Sequence, residues 1–255
     1  MAYDTAEHYN RAAEHYDDNW EHTAAYVQWM NEQIAGTLAV KAGARIADVG
    51  SGTGLFLKGL LPSVRPDRPI LCLDPSEAML KYLPDDDRLR PVCASAEDVA
   101  TGRVDLPYDE LDAILIKEAI HHVENMPETM RGLAGRLAPG GRILVISLPP
   151  RLDYPLFDAA LERFAARQPE PADIGQAMAD AGLSVEESLR EFEATVDPDH
   201  YRDLVAKRWM SVLTTFTESE LADGLDEMRR KHSGLSELRY VDRFAFVLGR
   251  REGSQ

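Results

Sequence analysis

Apolar and polar positions alternate in blocks along the middle of the chain. Short runs of near-continuous hydrophobicity occur at 45–49 (RIADV), 70–74 (ILCLD), 90–94 (RPVCA), 111–116 (LDAILI) and 142–148 (RILVISL). Such runs suit parallel strands covered on both faces. Segments of helical period separate them. Met130, Leu133, Ala134 and Leu137 recur at i, i+3, i+4 and i+7 and mark one apolar helix face. Asn125, Pro127 and Glu128 supply the start signals of that helix, and Pro139-Gly140-Gly141 is expected to stop it and turn the chain into the next strand. Strands alternating with helices predict a doubly wound α/β sheet with right-handed crossovers.

The ends read differently. AEHYN (6–10) and AEHYD (13–17) are near copies seven residues apart, which places Tyr9 and Tyr16 on one face of an N-terminal helix. Segments 157–168 and 173–185 read as helices, the second stopped by Gly182. Segments 183–196 and 238–251 read as the last two strands. About 40 residues part them, too many for a structureless loop, and Tyr201, Leu204, Val205, Arg208, Trp209, Val212 and Leu213 recur there at helical spacing. An insertion at that place stands over the carboxyl ends of the strands, where open α/β sheets bind ligands.

Composition narrows the class. The 255 residues carry 44 acidic and 28 basic side chains, a formal charge of −16. So acidic a chain is a poor binder of nucleic-acid phosphates or anionic membranes. No apolar run approaches the roughly 18 residues of a membrane span, and MAYDTAEHYN lacks the character of a signal peptide. Cys72 and Cys93, both in strand-like contexts, are expected to be buried thiols in a reducing cytoplasm.

Chemistry concentrates at two places. In ADVGSGTGLF (47–56), Gly50, Gly52 and Gly54 follow a strand and are expected to open a helix. Glycine allows tight turns and close approach of backbone to a ligand. The GxGxG spacing differs from the GxGxxG of nicotinamide-dinucleotide binders and disfavours an oxidoreductase. Asp48 precedes the loop, and Asp74, ending the next strand, is suited to accept both hydroxyls of a ribose. The second place is ILIKEAIHHVEN (114–125), where a strand gives way to Lys117, Glu118, His121 and His122. Adjacent histidines point different ways on a helix, a poor spacing for zinc, so no metal is expected. His121 and then Glu118 are the candidate general bases, on one helix face with Lys117, while His122 organises the turn.

DVGSGTG followed by LDPSEAML resembles the class I S-adenosylmethionine-dependent methyltransferases. The resemblance covers roughly 9–148 and implies a single domain with a seven-stranded Rossmann-like sheet, its last strand antiparallel. Its expected parts are a helical cap (1–38), a cofactor-binding core (39–150), helical lid insertions (151–171 and 197–237) and the end of the sheet (172–196 and 238–251). It implies S-adenosyl-L-methionine beside Gly50, Ser51, Gly52 and Gly54, its ribose on Asp74 and its adenine against Pro75 and Met79. CASAEDV (93–99) matches the adenine-edge loop, and Ser95, standing where the family often has an acid, shifts those contacts to Ser95 and the backbone of Ala96 and Glu97. Tyr16-Asp17 matches a Tyr-Asp pair that the family brings over the cofactor. Lys117 departs from the small or neutral residue usual there. Beside a sulfonium its ammonium needs a carboxylate such as Glu118 or Asp48, and its backbone is free to contact the cofactor. The absence of N-P-P-Y or D-P-P-Y after the fourth strand argues against a nucleic-acid substrate. The implied function is methyl transfer to the oxygen, nitrogen or carbon of a small molecule, with Tyr154, Arg208 and Trp209 as candidate substrate contacts. A cyclisation or other alkyl transfer on the same fold, and a non-enzymatic module that binds the cofactor, are the alternatives.

Overall fold

The computed structural model describes residues 23–253. Tyr9, Tyr16 and Asp17 lie outside them. Helix α1 (Ala24–Leu38) starts at Thr23, whose hydroxyl accepts the Tyr26 N–H at 3.2 Å. Its buried face, Tyr26, Met30, Ile34 and Leu38, repeats every four residues and lies on the sheet.

Seven strands form one sheet in the order β3-β2-β1-β4-β5-β7-β6. They are β1 (Ile46–Val49), β2 (Ile70–Asp74), β3 (Leu89–Cys93), β4 (Leu111–Lys117), β5 (Leu137–Ser147), β6 (Ser184–Val196) and β7 (Leu238–Arg250). The first five pair in parallel, and β7 runs antiparallel to both β5 and β6. On one face lies a core that includes α1 and Leu80 of α2 (Glu77–Leu80); on the other lies a core that includes α3 (Ala96–Thr101) and α4 (Met126–Gly135). Helix α4 begins as its sequence implies: Asn125 Oδ1 accepts the Glu128 N–H at 3.2 Å, with Pro127 in the first turn.

Four local expectations are corrected. No α-helix follows the glycines: Leu57, Leu60 and Ser63 donate to carbonyls three residues back, ending in a 3-10 turn at Leu61–Ser63. Gly59 is pressed against α1, where an added Cβ would stand 2.5 Å from the Asn31 carbonyl oxygen, and Pro62 lies in the turn. Both residues break a regular helix there. Second, α4 ends at Gly135, and Leu137 and the Pro139-Gly140-Gly141 bend belong to β5, at a register shift against β4. Third, Cys93 is exposed, because β3 is an edge strand; Cys72, on interior β2, is buried, and both thiols are free. Fourth, the helical period expected through Leu213 stops at α7 (Pro198–Ala206). Arg208 then takes a φ of +57°, and a 3-10 turn (Ser211–Thr215) precedes α8 (Glu218–Lys231).

The β6–β7 ribbon pairs without interruption from Ser184–Arg250 to Val196–Leu238. Ala245 pairs with Ser147, the last residue of β5, so the ribbon runs on past the carboxyl ends of the parallel strands. Segment 197–237 caps that projection and packs on α5 (Asp158–Ala165): Phe157 and Phe216 meet edge-to-face at 5.1 Å, and Gly224 leaves no room for a Cβ beside the Phe157 ring. Helix α6 (Pro171–Asp180) closes the crossover into β6.

Candidate active site

Strands β1 and β4 are adjacent, and the chain leaves them toward opposite edges of the sheet. Their carboxyl ends therefore open a crevice at the switch point. Gly50, Gly52 and Gly54 turn along one side with φ of +78°, +54° and +75°. The turn from β4 closes the other side so tightly that a Cβ on Gly50 would lie 2.3 Å from the Ala119 Cβ. Gly50→Ala should therefore lower stability by roughly 2–4 kcal/mol, combining left-handed strain with overpacking. A urea midpoint equal to that of the wild type would show that the loop yields instead.

Asp74 ties the loop to the end of β2. Its carboxylate accepts the Gly52 N–H at 3.0 Å and the Ser76 N–H at 2.8 Å. Burial raises its pKa, and the two backbone donors pull it back down. Asp48, buried in β1, is pushed up to about 7 by burial and by the Asp74 charge, against Lys117. Its Oδ1 has no hydrogen-bond partner among the described residues. Ser51 is half-buried at the loop's edge. Met79 is buried under Gly52, and Pro75 is exposed beside it. Ser95 caps α3 in a reciprocal box: its hydroxyl accepts the Asp98 N–H at 3.1 Å while Asp98 accepts the Ser95 N–H at 3.0 Å. Ala96 and Glu97 form the first turn, and Glu97 accepts the Glu124 N–H at 3.2 Å.

The Lys117–His122 stretch is not the helix face expected. Lys117 ends β4, Glu118 turns the chain with a φ of +52°, and Ile120–His122 form a single 3-10 turn. Lys117 and Glu118 form an ion pair, and the ammonium lies 4.0 Å from the centre of the Phe56 ring. The histidines do not diverge: the short turn leaves their rings 4.0 Å apart. His121 keeps part of its surface open, but protein crowds it, and this burial pushes its pKa down to about 4.

Above this stretch, Tyr154 is buried and its hydroxyl donates to Asp242 Oδ1 at 2.5 Å. Trp209 stacks on Tyr154 at 6.2 Å. Arg208 is used otherwise than expected: its guanidinium donates to the Leu213 and Phe216 carbonyls at 2.6 and 2.7 Å and pairs with Glu218. It braces its own segment, because a chain reversing at a left-handed residue exposes carbonyls that need donors. Asp242, Tyr26, Tyr201 and Tyr240 belong to this neighbourhood and were not singled out from sequence. A signal existed for Asp242: it keeps step with inward-facing Phe244 and Phe246 in an alternating strand.

A family profile described as a methyltransferase domain matches residues 47–143. The ubiquinone/menaquinone biosynthesis C-methyltransferase UbiE of Pseudomonas putida is 28% identical over 137 residues, 48% of this chain and 54% of the relative. The chain thus spans about half the length of the curated relatives it matches. Among solved structures, a putative methyltransferase from an antibiotic biosynthesis pathway of Anabaena variabilis superposes with a TM-score of 0.66 at 18% identity. That match covers 86% of this chain and 96% of the other. The [4+2]-cyclase SpnF superposes with a TM-score of 0.61 at 15% identity, over 98% and 95%.

Proposed function

We infer from the membership of this chain in the class I S-adenosylmethionine-dependent methyltransferases that it transfers the methyl group of S-adenosyl-L-methionine to a small molecule. The observation that carries the reading is the cradle between β1 and β4. Three left-handed glycines, two of which (Gly50 and Gly54) leave no room for a Cβ, pass between a ribose-type carboxylate, Asp74, and a buried carboxylate, Asp48, with an unsatisfied oxygen. An α-ammonium and a ribose diol would satisfy both acids, so the residues fit the cofactor. Ser51, Pro75, Met79 and the first turn of α3 at Ser95, Ala96 and Glu97 complete the binding surface. Tyr16 is proposed as a contribution from the N-terminal segment.

The cofactor, once bound, supplies a methyl group already activated on a sulfonium. The protein then needs to align the acceptor, exclude water and receive a proton. Glu118 neutralises Lys117, which would otherwise repel that sulfonium, and the Lys117 backbone borders the crevice. His121 is the proposed proton acceptor and Glu118 the second candidate. Segments 151–171 and 197–237 are the proposed lid, with Tyr154 and Trp209 toward the acceptor. A charge of −16 speaks against a nucleic-acid substrate. No helix among the described residues is long and apolar enough to cross a membrane. Two free thiols suit a reducing cytoplasm.

Calorimetric binding of S-adenosylhomocysteine, followed by mass analysis of products for an added methyl group, tests the reading. Turnover without a methylated product would favour a cyclase-like chemistry. For the lid, Trp209→Ala should weaken acceptor binding by about tenfold and leave cofactor affinity within about twofold. An equal loss of both would return Trp209 to a packing role.

A further inference from the structure

Asp242 has no part in the methyl-transfer reading above, yet it is partly buried and bonded to one ring of an aromatic cluster. It lies three residues before Ala245 on β7, so it sits beyond the ends of the parallel strands and beneath segment 197–237. Tyr154 holds one of its oxygens. The rings of Tyr154 and Tyr240 meet at 5.1 Å, those of Tyr154 and Trp209 at 6.2 Å, and those of Tyr201 and Tyr240 at 6.1 Å. Glu118 and Lys117 bear on Asp242 from the carboxyl end of β4 and the turn after it, with opposite sign. The Lys117 ammonium is already paired with Glu118. That ammonium therefore offsets little of the Asp242 charge, and burial pushes Asp242 up to about 7. A carboxylate so placed is stabilised by a cation brought from outside.

Tyr201 gives an independent sign of a missing occupant. It is 1% exposed, and its hydroxyl has no hydrogen-bond partner among the described residues. It faces the same group: burial raises its pKa, and Tyr240 and the Asp242 charge raise it further. A buried hydroxyl without a partner is costly unless a ligand completes it. Aromatic faces around a carboxylate also favour a cation over a neutral group.

We propose that this aromatic cluster selects the acceptor by a cationic nitrogen: Asp242, positioned by Tyr154, anchors the acceptor's ammonium, with Tyr201 and the rings of Tyr240 and Trp209 around it. The acceptor class is an amine carried on an apolar body. The inference rests on the methyltransferase reading. The other cation at hand is the cofactor's sulfonium. Asp242 lies beyond the strand ends on β7, and the Lys117–Glu118 pair lies at the carboxyl end of β4 beside the crevice, so the sulfonium is left to that pair.

Tyramine and 4-ethylphenol share an apolar body and differ in the ammonium, so they serve as probes. Calorimetry on the full chain saturated with S-adenosylhomocysteine should find tyramine bound at least tenfold more tightly. Asp242→Asn should abolish the preference and keep S-adenosylhomocysteine affinity within about twofold. Tyr201→Phe should cost tyramine about fivefold and 4-ethylphenol less; it carries the test if Asp242→Asn fails to fold. Equal binding of the two probes, binding of neither, or a preference that survives in the variants overturns the proposal. So does a change in the ratio of S-adenosylmethionine to S-adenosylhomocysteine affinity in Asp242→Asn, which would give the carboxylate to the sulfonium. A wild-type preference for tyramine without any binding of S-adenosylhomocysteine would sink the cofactor reading and leave the amine site standing.

Discussion

Alanine at position 74 should weaken S-adenosylmethionine binding by roughly 10²–10⁴-fold. An ionised carboxylate offers about four lone-pair sites. Asp74 spends two on the Gly52 and Ser76 N–H groups, which fix the glycine turn against β2. The other two remain for a ribose diol. Two charge-assisted hydrogen bonds at about 1.5–3 kcal/mol each give the expected loss. Part of the effect will come from the loop, since Gly52 loses its acceptor. Asp74→Asn separates the parts: its amide oxygen can still accept one backbone N–H but carries no charge toward the ribose. It should fall between wild type and Asp74→Ala in affinity and in melting temperature, since its NH2 replaces the oxygen that the other N–H uses. Wild-type affinity in Asp74→Ala, measured by calorimetry, would remove Asp74 from the cofactor site.

The sheet was legible because its strands are covered on both faces. Short apolar runs closing with Asp48-Val49, Asp74 and Lys117 mark both a strand and its carboxyl end. The crevice was legible for the same reason, since topology decides which ends meet. What the sequence hid depends on contacts between distant segments. Gly59 breaks the expected helix because α1 presses on it, and nothing within 54–63 shows that neighbour. Cys93 looks buried until strand order makes β3 an edge. Arg208 sits in an apolar period as a helix residue would, and only its two carbonyl partners show why the helix ends before it. Tyr154, Asp242 and Tyr201 meet from a loop, a strand and a helix, and no local spacing links them. The stretch Lys117–His122 shows the same limit: a positive φ at Glu118 turns a supposed helix face into a turn that pairs the two histidines.

That turn sets the terms of the last prediction. His121→Asn should lower kcat by about 10²–10⁴-fold, with S-adenosylhomocysteine affinity little changed. Burial disfavours the imidazolium and pushes the His121 pKa down to about 4. A base works in its unprotonated form, so the rate should rise with pH through about 4 and stay flat from about 6 to 8. An exposed histidine would instead show the rise near 6.5. A lower proton affinity makes a weaker base, but the acceptor's own proton becomes more acidic as its bond to the methyl carbon forms. A permanently free lone pair then matters more than strength. The same shift acts on folding: the unfolded chain binds a proton that the buried ring refuses, so His121 withdraws stability as pH falls from 6.5 toward 4. His121→Asn should therefore lose less stability than wild type over that interval, a readout independent of turnover. Glu118→Gln is the companion variant. If Glu118 were the base, it would match the kinetic loss that His121→Asn is expected to show. Near-normal kcat in both variants would leave alignment and exclusion of water as the whole of the protein's contribution.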